Sequence, residues 1–218
     1  MPNSNRYTYM FVALMALVSA LLLSLVKTGL HERQEFNREL DMKKNIMMAA
    51  GAYREGMSGQ EVADAFKRGF AIKRLSGAGR ENVPAYYVYG EEPAPEAVIL
   101  PVDGKGLWST IKGFIALESD LNTVRGIAFY EHAETPGLGG EIDKEYFTRR
   151  FQGKKIFREG QLVSVTIAKG EMLEESDYGV DGISGASLTT AGINRFLRAD
   201  LERFTPLLQG RAQQQEQR

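Results

Sequence analysis

TIKGFIALESDLNTVRGIAFY, residues 110–130, is the stretch on which the fold turns. Two runs rich in β-branched and aromatic residues, 110–117 and 124–130, flank Ser119, Asp120, Leu121 and Asn122. Such side chains suit a pleated, half-buried surface, and polar turn formers between two of these runs predict an antiparallel hairpin. Farther along, residues 162–168 alternate, with Val163, Val165 and Ile167 on one face, and predict a third strand. Helical patterns lie toward the chain ends. Strands grouped in the middle with helices outside them imply an α+β class: an antiparallel sheet with flanking helices.

Upstream, residues 7–26 form an uncharged run of about 20 residues, long enough to cross a bilayer. The segment FVALMALVSALLLSLV is apolar all round, unlike an interfacial helix. A cleaved signal peptide would need a shorter apolar core, and no break follows Ser19 and Ala20, so a retained anchor is expected. Residues 32–50 read as a helix with Phe36, Leu40 and Met47 on one side and Gly51 as its stop. Ser58-Gly59-Gln60-Glu61 fits a capping box opening a short helix through Val62, Ala65 and Phe66. The 75–95 stretch is rich in Gly, Pro and charge and reads as loop, with Tyr86-Tyr87-Val88-Tyr89 as a short strand. The expected organisation is a tail over 1–6, a transmembrane helix over 7–29, a helical connector over 30–56, a globular domain over 57–208 and a polar disordered tail over 209–218.

Composition narrows the chemistry. The chain has 218 residues, a formal net charge of −1 and no cysteine. Near-neutral charge without a basic stripe argues against nucleic-acid binding. Without cysteine there is no disulfide, thiolate zinc site or cysteine-ligated iron–sulfur cluster, so redox chemistry requires an organic cofactor. His31 and His132 are isolated, with no spacing suited to a metal or to a Ser-His-Asp nucleophile.

One further segment carries chemistry. Asp181-Gly182-Ile183-Ser184-Gly185-Ala186-Ser187-Leu188-Thr189 precedes a helical pattern marked by Ile193, Phe196, Leu197 and Leu201. Ser184 or Ser187 can be read as a helix cap. The same place suits a phosphate, because helix-start N–H groups are unpaired and small residues allow close approach. The Ser187 hydroxyl could also carry that phosphate as an ester. A second segment, Glu134-Thr135-Pro136-Gly137-Leu138-Gly139-Gly140, predicts a type II turn with positive φ at Gly137. By themselves, this segment reads as a tight loop, Lys169 as a solvated charge and Trp108 as sheet core.

Asp181-x-x-Ser184-Gly185-Ala186-Ser187-x-Thr189 resembles the flavinylation motif of the FMN-binding domain family. There the last Ser or Thr of the Ser-Gly-Ala-Thr element holds FMN through its phosphate, a position matching Ser187. Most members of the relevant branch have Thr at that place, so Ser187 departs from the pattern, but a primary alcohol forms the same ester. Residues 134–139 resemble the family's flavin-pocket loop, Lys169 stands at the family's spacing from Ser187, and Gly106-Leu107-Trp108-Ser109 also recurs. With Leu40-Asp41-x-x-Lys44-Asn45-Ile46, these motifs are similar, in order, to the C-subunit family of sodium-translocating NADH:quinone oxidoreductases. The G subunits of Rnf ferredoxin:NAD oxidoreductases share anchor, domain and motif, but Gly-Leu-Trp-Ser and Leu-Asp-x-x-Lys-Asn favour the former branch. From another class, the rival readings are a membrane-anchored flavin transferase and a non-redox membrane-anchored scaffold.

The resemblance implies FMN covalently bound to Ser187. It implies a cofactor site made with Ser184, Gly185, Ala186, Asp181, Thr189, Lys169, Glu134, Thr135, Leu138, Gly139 and Trp108. Asp181 either serves recognition by a flavin transferase or orders the turn. The implied role is an electron carrier, not catalytic in isolation, passing electrons from an iron–sulfur centre to another flavin-bearing protein. The setting is a six-subunit, sodium-pumping complex of the bacterial inner membrane, with a single-pass anchor and the FMN domain on the periplasmic side. Charges point the other way. Arg6 precedes the span, and Lys27, Arg33 and Arg38 follow it, which by the positive-inside rule predicts a cytoplasmic domain.

Overall fold

The computed structural model describes residues 4–74, 85–91, 95–172 and 174–216. Packing divides the chain into two units, residues 1–40 and 41–218. Helix α1 (Ser4–Ala49) is continuous and includes one segment long and apolar enough to cross a membrane, none of it buried. Its last turns belong to the second unit, where Ile46, Met47 and Ala49 are buried. Helix α2 (Gly59–Gly69) opens on the expected capping box. The Ser58 Oγ accepts the Glu61 N–H at 3.3 Å, and the Glu61 carboxylate accepts the Ser58 N–H at 2.7 Å.

A five-stranded sheet follows, its strands β1 (Phe70–Arg74), β2 (Ala85–Tyr89), β3 (Ala97–Lys105), β4 (Thr110–Glu118) and β5 (Val124–Glu131) paired antiparallel in chain order. The hairpin expected from residues 110–130 is β4–β5. Its turn is held by the Asp120 carboxylate, which accepts the N–H groups of Asn122 at 2.9 Å and Thr123 at 2.8 Å. The remainder of the 75–95 reading lies largely outside the described residues, but its strand forms as β2.

Strand β3 was not anticipated from sequence. Its Ala97-Val98-Ile99-Leu100 run is buried on both faces, so it lacks the alternation that marks a one-sided strand. Pro101 also argues against a strand in sequence, because it cannot donate to a ladder. Here it costs nothing. The β2–β3 register ends at Ile99, and the Asp103 N–H, two residues on and on the same edge, turns to the Asp200 carboxylate at 2.8 Å.

The 162–168 expectation needs correction. Beyond the small 310 turns at Gly139–Asp143 and Arg149–Phe151 and helix α3 (Glu145–Thr148), the described residues form only two-residue strands before the last helix: β6 (Phe157–Arg158), β7 (Gln161–Leu162), β8 (Thr166–Ile167) and β9 (Gly179–Val180). Val165 and Ile167 are buried as expected, but Ser164 has φ 64° and interrupts the strand. The N–H groups of Val163 and Ser164 both turn to the Ile156 carbonyl, at 2.8 and 3.0 Å. Strand β6 pairs antiparallel with β7, and β8 pairs parallel with β9.

Helix α4 (Ser187–Glu216) covers one sheet face with Ile193, Phe196, Leu197 and Leu201, the stripe read from sequence. It runs as far as Glu216, so most of the stretch expected as an irregular tail is helical. The opposite face carries a second core of Ile46, Met47, Val62, Phe66, Tyr87, Ile99 and Phe114, with Tyr87 and Phe114 rings edge-on at 5.8 Å. Sheet and flanking helices match the expected class.

Helix α4 is also fastened to β8. The Asn194 Oδ1 accepts the Ile167 N–H at 2.8 Å and its Nδ2 donates to the Ile167 carbonyl at 2.9 Å, replacing a strand partner. Asn194→Ala leaves both backbone groups unpaired, with an expected loss of about 1–3 kcal/mol in urea denaturation.

Candidate functional site

Three segments meet where β3 and β5 end. The turn 106–109 joins β3 to β4, the loop 132–140 leaves β5, and α4 begins beside both. The approach of α4 to the turn is close: a Cβ on Gly192 would stand 2.6 Å from the Lys105 carbonyl oxygen. At the centre lies Glu134, only 4% exposed. Its carboxylate accepts the N–H groups of Leu107 at 3.2 Å, Trp108 at 2.9 Å and Ser109 at 3.2 Å. It also accepts the Thr189 hydroxyl at 2.6 Å.

Burial by itself would raise the Glu134 pKa. The Thr189 hydroxyl and the three amides outweigh burial and hold the carboxyl below its ordinary range. Glu134 is therefore an internal anion that binds the 106–109 turn to the first turn of α4. A Cβ on Gly139 would clash with Thr189 Oγ1, so this glycine lets the loop close over the pair. The segment before it is held too: the His132 Nδ1 accepts the Glu134 N–H at 3.3 Å and the Ser109 Oγ accepts the Ala133 N–H at 2.7 Å. The type II turn forms as read, with Gly137 at φ 76°. Thr135 contributes its carbonyl, which accepts the N–H groups of Leu138 at 3.1 Å and Gly140 at 2.8 Å.

Ser187 is the first residue of α4, because the Ala186 carbonyl accepts the Thr190 N–H at 2.9 Å. The N–H groups of the first turn are left without helical partners. Ser184 and Ser187 are both exposed, and among the described residues neither hydroxyl has a hydrogen-bond partner. Neither hydroxyl caps the helix. Gly185 has φ 72°, and a Cβ there would stand 2.6 Å from Leu138 Cδ2, so Leu138 lies directly against the loop that leads into α4. Trp108 is 67% exposed, which corrects its reading as sheet core: its amide, not its ring, is engaged inside. With Leu138 at 44% and Leu188 at 64%, it gives the site an open apolar border. An apolar border beside unpaired amides and a free hydroxyl fits a planar apolar ring with a phosphate tail.

Asp181 and Lys169 belong to the neighbouring β8–β9 pair. The Asp181 Oδ1 accepts the Met172 N–H at 2.7 Å, so its carboxylate orders the loop. Lys169 is exposed between Ala168, whose N–H donates to the Val180 carbonyl at 2.9 Å, and Gly170, whose carbonyl accepts the Gly182 N–H at 2.6 Å. Among the described residues its ammonium makes no ion pair. The sequence reading missed Arg150, which donates to the carbonyls of Asp181 and Gly182. An arginine 31 residues away from its partner leaves no local pattern.

The fold and site together define a recognised class: residues 106–202 match the FMN-binding domain family. Named relatives agree along nearly the whole chain. The C subunit of the Na(+)-translocating NADH-quinone reductase of Haemophilus ducreyi is 33% identical over 226 residues, covering 88% of each chain. That of Pseudomonas aeruginosa is 32% identical, covering 89% of this chain and 90% of the relative. The crystal structure of the corresponding C subunit from Parabacteroides distasonis superposes with a TM-score of 0.71 at 28% identity, covering 82% of this chain and 96% of that one. This chain belongs to the C-subunit family of Na(+)-translocating NADH-quinone reductases.

Proposed function

We infer that the domain carries FMN as a phosphoester on Ser187 and relays electrons within a sodium-translocating NADH–quinone reductase. The observation that carries this reading is the contrast between the two candidate hydroxyls. The Ser187 hydroxyl is exposed and unpartnered at a helix start, whereas Thr189 is 1% exposed and bonded to Glu134. Of the two, Ser187 is the one open to a flavin transferase on the folded domain.

Attachment requires an activated flavin dinucleotide. Its phosphoanhydride breaks, the Ser187 Oγ bonds to the flavin-side phosphorus, and the nucleotide monophosphate leaves with the hydroxyl proton. FMN so held supplies reversible electron transfer, and the chain supplies position and electrostatics. Ser184, Gly185 and Ala186 leave space around the phosphate, Leu138 and Trp108 offer apolar surface to the ring, and Lys169 adds positive charge nearby. Glu134, Thr135, Gly139, Thr189 and Asp181 hold the loops that present these groups.

The expected partners are the other subunits, with an iron–sulfur donor and a flavin acceptor among them, in a complex of six. Intact mass after co-expression with a flavin transferase tests the attachment. A gain of FMN less one water, on the peptide containing Ser187, is expected; an unmodified chain would defeat the carrier reading.

The domain is expected on the periplasmic side of the inner membrane, against the charge rule. Because the chain has no cysteine, Arg195→Cys provides a single label site on an exposed turn of α4. A membrane-impermeant maleimide should label it in intact spheroplasts. Labelling only after the membrane is broken would place the domain in the cytoplasm.

A further inference from the structure

The buried Glu134–Thr189 bond joins the loop after β5 to the start of α4. Nearer the surface, a second connection runs between that loop and the attachment loop through side chains alone. The Glu141 Oε1 accepts the Gly137 N–H at 3.2 Å, and its Oε2 accepts the Tyr146 hydroxyl at 3.3 Å. The Arg150 guanidinium carbon stands 5.7 Å from the centre of the Tyr146 ring, within cation–π reach. From there the Arg150 Nη1 donates to the carbonyls of both Asp181 and Gly182, each at 3.0 Å. Tyr146 and Arg150 lie one turn apart along Glu145–Phe151, while Glu141 sits in the 310 turn before the extended Lys144, so one short stretch reaches both loops.

We propose that Arg150 is a positioning residue for flavin attachment, presetting residues 181–187 in the conformation that presents Ser187 to the flavin transferase. This rests on attachment at Ser187. Two successive carbonyls held by one donor orient two peptide planes at once, at the first two residues of the motif that bears the hydroxyl. The loop needs such a restraint because glycines at 182 and 185 give it unusual backbone freedom. Arginine suits the task because its planar, permanently charged fork loses less freedom per bond than a lysine ammonium. If the clamp is removed, ordering the loop must be achieved in the transferase complex. Each released residue then slows transfer on the order of tenfold.

The test is the initial rate of flavin transfer to the purified full-length, flavin-free chain in detergent, with flavin transferase and flavin adenine dinucleotide. Arg150→Met is expected to slow transfer about tenfold or more. Arg150→Lys should recover part of the rate. Arg149→Met, which removes a neighbouring exposed cation paired with Glu145, should leave it unchanged. Melting temperature is measured alongside, since a merely structural arginine would lower melting without slowing transfer to the folded chain.

Wild-type rate in folded Arg150→Met overturns the proposal, and so does equal slowing by Arg149→Met, which would indicate general charge attraction to the transferase. Should circular dichroism show Arg150→Met unfolded, Tyr146→Leu decides instead. It removes the ring beside the guanidinium, and a slowing of about threefold is expected; wild-type transfer would overturn the proposal. A wild-type chain that accepts no flavin defeats the attachment reading itself, an outcome distinct from a failure of the clamp.

Discussion

Ser187→Ala, expressed with a flavin transferase, yields a folded chain that shows no flavin fluorescence in a denaturing gel and no added mass. The loss should be complete, because the substitution removes the only oxygen that can form the ester at that residue. Stability should hardly change: the Ser187 side chain is exposed and bonds to nothing among the described residues, so the effect stays within about 0.5 kcal/mol. Ser187→Thr keeps the alcohol and should remain modified. Persistent fluorescence in Ser187→Ala would put the ester elsewhere. Thr189 is poorly placed to take over, since modifying it would require breaking its bond to Glu134 and opening a buried site.

Glu134→Ala is the second substitution with a large expected effect, and here stability falls with function. The change deprives three backbone N–H groups and the Thr189 hydroxyl of their acceptor in a buried place. A loss of about 3–5 kcal/mol is expected, a large part of the stability of a domain. Glu134→Gln keeps the volume but turns an amide NH2 toward donors, so about 2 kcal/mol should be lost. Urea denaturation measures both.

The pH dependence follows from the lowered pKa of Glu134. A depressed carboxyl contributes stability that is fully present above its unfolded-state value of about 4.3 and is lost as pH falls through the lower folded-state value. Wild-type stability should therefore drop more steeply than that of Glu134→Gln on acidification below about pH 4. Parallel curves would show that Glu134 is not the ionised hub. Both variants should also take up less flavin, because the first turn of α4 loses its tie to the 106–109 turn.

Much of the architecture was legible where structure is made locally. The β4–β5 hairpin rests on residue types and a turn in one short stretch, and the Ser58–Glu61 capping box is complete within four residues. Strand β3 carries no alternation because both its faces are covered, and Pro101 is harmless only because the β2–β3 pairing stops at Ile99. The 162–168 strand was overread because the left-handed Ser164 follows from a distant carbonyl, that of Ile156.

The same division runs through the site. Sequence alone determined that an apolar segment long enough for a membrane precedes an α+β domain, that the chain lacks cysteine, and which residues form the two glycine-rich motifs. These depend on composition and near neighbours. Tertiary structure alone decided which motif residues face outward. Ser187 and Leu138 do, as does Trp108 of the adjoining 106–109 turn, while Glu134 and Thr189 turn inward and bond to each other across 55 residues of sequence. It also brought Arg150 to the carbonyls of Asp181 and Gly182. A motif records which groups are available; packing three chain segments against one buried carboxylate determines which groups remain free to react.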